Sequence, residues 1–153
     1  MADTRAITFV ESVYRRTDQQ IRDILAVQQP TAEVDTINVI LGDGVTVMHP
    51  GIGAAIRVDF RARITGFFLQ EFDGTTGSVG VVVEQSQGGP TPVWTRISPL
   101  VTPAIVTGRY YADEDVTDWL TLVDRGDYLR FLVASATTIT RVHVGLRVRR
   151  LEP

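Results

Sequence analysis

The chain has 153 residues, a formal net charge of −3 at pH 7 and no cysteine. That length suits a single domain, which buries roughly 70% of the surface of its unfolded chain. The lack of thiols excludes a disulfide framework and thiolate metal sites, and leaves the redox compartment unread. A net negative charge argues against a general nucleic-acid binder, which needs a concentrated basic surface. No apolar run approaches the ~18 residues of a membrane span, and the opening MADTRAITFVESVYRR lacks the basic-then-apolar order of a secretory signal. A soluble protein is expected, with neither nucleic acid nor membrane as partner. All 15 cationic residues are arginine, as a GC-rich genome would encode; arginine's planar fork also suits bidentate pairing at interfaces.

The first element in chain order is a predicted helix. Ile7, Val10, Tyr14, Thr17, Ile21, Ile24 and Gln28 recur at alternating spacings of three and four, a heptad stripe that calls for an apolar partner. Pro30 ends it by disfavouring helical geometry at the preceding residue. The stripe packs on its own domain or serves as an arm or short coiled coil joining subunits, and the β-branched residues near Ile7 leave a β alternative for 7–10. The expected organisation is an N-terminal arm or helix over 1–34 followed by a β domain over 35–153.

Strands are predicted over 36–41, 54–60, 64–72, 78–85, 94–97, 116–122, 127–135 and 138–150. They are separated by turn signals such as GDG at 42–44, FDGTTG at 72–77, SQGGPTP at 86–92 and DRGD at 124–127. The closing strand alternates most plainly, with Ile139, Arg141, His143, Gly145, Arg147 and Arg149 on one face and Thr140, Val142, Val144, Leu146 and Val148 on the other. The stretch 56–65 alternates too, with Ile56, Val58, Phe60, Ala62 and Ile64 on the apolar side. Many short strands with no βαβ alternation favour an all-β fold, an antiparallel jelly roll or β-sandwich of about eight strands.

Groups that could do chemistry do not assemble. His49 and His143 have no neighbour at metal-ligand spacing, and no serine lies in a G-x-S-x-G context. The acidic run Asp113, Glu114, Asp115 and Asp118 departs from the spacing of an EF-hand loop and reads as a solvated acidic loop. The glycine turns GDGVTV and GIGAAI lack the Gly-Lys-Ser/Thr ending of a phosphate loop; their glycines supply positive φ. No enzyme activity, cofactor or metal is expected. Trp94, Tyr110 and Tyr111 stand out as a possible ligand platform, although burial is the commoner role of aromatics.

The order of IRVDF, ITGFFLQEFDG, SVGVVV, Trp119 with Gly126 and Asp127, and SATTITRV resembles a jelly-roll module of tailed-bacteriophage virion proteins, found in head decoration (cement) proteins and in tail fibres. The resemblance covers about 35–150. It departs at Phe67, where tryptophan is often seen, and at Asp124 and Arg125, where small or apolar residues are usual. A fold is reused for many functions, but one such module with an arm resembles a decoration protein. The resemblance then implies a homotrimer on the outer surface of the head, made in the bacterial host cytoplasm, with the major capsid protein as partner. Ile7, Val10, Tyr14, Ile21 and Ile24 would supply apolar subunit or capsid contacts, and Arg141, Arg147 and Arg149 would meet an acidic neighbour. The alternative is a receptor- or glycan-binding module of a tail fibre or spike, using Trp94, Tyr110 and Tyr111.

Overall fold

The computed structural model describes residues 34–151; the arm expected over 1–34, with Ile7, Val10, Tyr14, Ile21 and Ile24, lies outside them except for Val34. In chain order the strands are β1 (Val34–Leu41), β2 (Gly53–Arg57), β3 (Ala62–Glu71), β4 (Ser78–Ser86), β5 (Thr95–Arg96), β6 (Ala104–Ile105), β7 (Tyr110–Asp113), β8 (Leu122–Val123), β9 (Tyr128–Thr137) and β10 (Val142–Arg150). There is no helix among the described residues. One antiparallel sheet has the order β1-β10-β3-β7 with β8 also on β3, and the other β2-β9-β4-β5 with β6 also on β4. The two form an all-β sandwich.

Side-chain alternation explains the two layers. Ile37, Val39 and Leu41 of β1 and Val142, Val144, Leu146 and Val148 of β10 are buried on the inner face of the first sheet. Val79, Val81 and Val83 of β4 and Leu129, Phe131 and Val133 of β9 answer them from the second. Each such side chain contributes about 1.5–3 kcal/mol on burial. The alternation predicted over 56–65 runs through two strands of different sheets. Val58, Ala62 and Ile64 are buried and Arg57, Asp59, Arg61 and Arg63 exposed, so the chain changes sheet at 58–61 without changing the side it turns inward.

Two bulges then reset the parity. Opposite β10, Arg147 pairs with Gly66 and Val148 with Ile64, so that Thr65 is passed over. The inward residues of β3 accordingly shift from Ala62 and Ile64 to Phe67, Leu69 and Glu71. The Ile64-Thr65-Gly66-Phe67 segment is therefore a β-bulge. Ala134 is passed over in the same way where β9 meets Gly80 and Val81.

The structure corrects three sequence expectations. Residues 116–121 form a turn rather than a strand, and only Leu122 and Val123 pair. The short strands β6 and β7 were not predicted. Ile139, assigned to the polar face, is fully buried. The chain is not yet a strand there: Thr138 holds φ of 59°, and the carbonyls of Ile139 and Thr140 accept backbone bonds from Met48 and Gly44. Strict alternation begins at Val142.

Candidate functional site

The long 87–94 loop joining β4 to β5 overhangs the outer face of the second sheet. Its glycines Gly88 and Gly89 hold φ of +80° and +105°, and two adjoining clefts lie at the turn they make. One cleft, of about 280 Å³, is lined by Ser86, Gly88, Gly89, Pro92, Trp94 and Tyr128. The other, of about 440 Å³, shares Ser86 and Gly88 and adds Gln87, Thr91, Thr95 and Leu120 among its walls.

Trp94 is half-buried, and its ring is covered on one side by the Arg130 guanidinium, 4.2 Å from the centroid. Arg130 is held in turn by Glu84, its Nε donating to Oε2 at 2.8 Å. These residues meet by sheet register, since Glu84 on β4 lies directly opposite Arg130 on β9. Tyr128 stands next to them on β9, opposite Ser86, and lies against Gly88. A Cβ on Gly88 would come within 2.8 Å of the tyrosine ring. Ser86 Oγ accepts the Gly88 N–H at 3.1 Å, which fixes the start of the loop.

Tyr110 and Tyr111 belong to β7 in the other sheet and outside the lining of both clefts. Tyr110 is exposed, whereas Tyr111 is partly buried with its ring edge-on to Phe67, the centroids 6.3 Å apart. Burial, together with the neighbouring Asp113 charge, pushes the Tyr111 hydroxyl pKa up. Trp94 is thus brought together with Tyr128, a residue the sequence reading did not single out, and not with the tyrosine pair. The usable signal was the Gly-Gly-Pro turn preceding Trp94; nothing local marks Tyr128, which reaches the cleft through strand pairing.

Of the three arginines expected to face outward on the closing strand, two find partners within the chain. Arg141 pairs with Asp73, and Arg147 with Glu114 at 3.0 Å; Arg149 is exposed and has no ion pair among the described residues. The acidic side chains are likewise engaged in local structure. Asp113 accepts the Trp119 indole N–H at 3.1 Å, Asp115 accepts the Thr117 N–H at 3.1 Å, and Asp124 pairs with Arg61 at 3.0 Å. Buried Asp127 accepts the Asp124 N–H at 2.8 Å and a bond from Gln85. Among the described residues no group of three or more His, Asp or Glu side chains is placed to hold a metal ion. His143 lies 3.1 Å from Asn38 Oδ1 and is flanked by Phe68 and Phe72, and His49 lies 3.1 Å from the Pro50 carbonyl oxygen.

No family model matches the chain, and no curated protein matches it. Among solved structures it is similar to a xylan-binding domain from CBM 22, at 10% identity over 80% of this chain and 89% of that one, with a TM-score of 0.35. The CBM22-1-GH10 modules of Clostridium thermocellum endo-1,4-beta-D-xylanase 10B match at 11% identity over 78% of this chain and 25% of theirs, with a TM-score of 0.33. The structure of infectious bursal disease virus Gx strain matches at 11% identity over 79% and 36%, with a TM-score of 0.26. At such scores no residue of this chain is placed in correspondence with one of theirs.

Proposed function

We propose that this chain is a non-enzymatic structural protein of a bacteriophage virion, a capsid decoration (cement) protein built as a jelly roll. It assembles as a homotrimer on the outer surface of the head and braces the major capsid protein. The observation that carries the reading is the strand pairing: β1 with β10, β2 with β9, β3 with β7 and β8, and β4 with β5 and β6. The partners nest inward from the two ends of the strand sequence, as in a long hairpin wound over on itself into two sheets, and this nesting supports a jelly roll. The segments that resemble phage virion modules support it by their structural use. Ile64 to Phe67 form the bulge of β3, Trp119 packs on Phe67 with centroids 5.1 Å apart, and Gly126, at φ +92°, turns the chain into β9.

A clamp of this kind offsets the outward pressure of packaged DNA through many modest contacts acting together. The test is co-sedimentation of the purified chain with expanded capsids lacking it, alongside light scattering of the free chain. Saturable binding at sites on the shell and a trimeric mass are expected. A monomer that does not sediment with capsids would overturn the reading.

A further inference from the structure

We infer that the cleft under the 87–94 loop is a binding site for a neutral carbohydrate, with Trp94 and Tyr128 as its stacking faces. Both rings are held before any ligand arrives: Trp94 by the Arg130 guanidinium at 4.2 Å, and Tyr128 by the backbone of Gly88, where a Cβ would approach the ring to 2.8 Å. Fixed rings add affinity because little side-chain freedom is lost on binding. Neither is a core residue, since Tyr128 is 37% exposed and Trp94 is half-buried.

The polar part of the lining is uncharged. Ser86 and Tyr128 bring hydroxyls to the cleft that holds the rings, and Gln87, Thr91 and Thr95 line the adjoining one, which shares Ser86 and Gly88 with it; hydroxyls and amides both donate and accept hydrogen bonds. The charges beside the tryptophan, Arg130 and Glu84, are spent on each other. An ionic ligand would leave its own charge uncompensated here, at a desolvation cost. A pyranose offers what the cleft takes: an apolar C–H face for an aromatic ring and neutral hydroxyls around its edge. At about 280 Å³ the ring-lined cleft lies at the small end of ligand sites and suits one or two sugar rings.

The site is independent of assembly on a capsid. Capsid co-sedimentation tests that role, and sugar titration tests this one. The experiment screens the full chain on neutral gluco-, galacto- and manno-configured oligosaccharides, then titrates the best of them calorimetrically, with the unfolding midpoint of each variant recorded. Saturable binding is expected, weakened about tenfold or more by Trp94→Ala and by Tyr128→Ala, largely kept by Trp94→Phe and unchanged by Tyr110→Ala on the other sheet. Should Trp94→Ala fail to fold, Trp94→Phe and Tyr128→Ala decide. The inference is overturned by absence of binding at millimolar sugar, by binding that survives both alanine variants, or by preference for an anionic sugar or a peptide.

Discussion

Gly42 and Gly74 both hold positive φ, +90° and +78°, but only Gly42 is enclosed. A Cβ on Gly42 would meet the Thr140 carbonyl oxygen at 2.2 Å, whereas one on Gly74 would meet nothing within 4 Å. Gly74→Ala should therefore cost the left-handed backbone term alone, about 1–2 kcal/mol. Gly42→Ala should cost more, because backbone must move as well; urea unfolding of the two variants measures the difference. Glu71 is a second residue whose setting decides its behaviour. Its carboxylate is buried, and burial alone pushes its pKa up, but bonds from Arg109 at 3.0 Å, Thr75 at 3.1 Å and the Asp73 N–H outweigh this and hold it below the ordinary value. The unfolded chain thus binds the proton more tightly than the native one. The stabilisation is complete above the unfolded-state pKa and is lost as pH falls through the lower native value. Glu71→Gln should destabilise by about 1–3 kcal/mol at pH 7 and flatten the acid limb of the stability profile, read by denaturant midpoints from pH 7 to pH 3. Sequence put Glu71 on a strand but could not point to Arg109, which reaches it only because the chain returns beside β3 at β7.

Among the elements, the long strands and the two-residue β5, inside the predicted 94–97, were legible, whereas β6 and β7 were not and β8 was met only at Leu122. β1, β3, β4, β9 and β10 carry enough alternating residues to show a period, whereas β6 and β8 are two residues each and have no period to read. The 116–121 segment misled because Val116, Thr117, Trp119 and Thr121 are strand-forming types. Val116 and Trp119 instead close a turn, with Trp119 N bonded to the Val116 carbonyl, and lay the indole on Phe67. Trp119 is 5% exposed, and its loss should be among the costliest single changes: Trp119→Ala about 3–5 kcal/mol. Trp119→Phe should cost less, losing chiefly the bond to Asp113. Equilibrium denaturation of both variants checks this order, and equal, small losses would show that the turn is not anchored by the ring.

At the scale of the whole molecule, the arm carries the assembly proposal. Ile21→Asp with Ile24→Asp places carboxylates on the apolar stripe, which is costly wherever that stripe is buried. Light scattering should show the oligomer weakened, while circular dichroism shows the β signal intact. Global unfolding instead would place the stripe in the core of the β domain. The same variant should lose capsid co-sedimentation while keeping any carbohydrate titration unchanged, because Trp94 and Tyr128 belong to the β domain rather than to the arm. By itself, the sequence determined the all-β class, the inward faces of the long strands and most turns, since each is written in neighbours two residues apart or in residues with special backbone freedom. The tertiary structure alone decided that Trp94 shares a cleft with Tyr128 rather than with the Tyr110 and Tyr111 pair, that Arg141 and Arg147 are paired within the chain, and that Glu71 is held ionised. Those contacts join residues from 33 to 68 positions apart for the ion pairs, and such distances close only when strand order and register bring distant segments side by side.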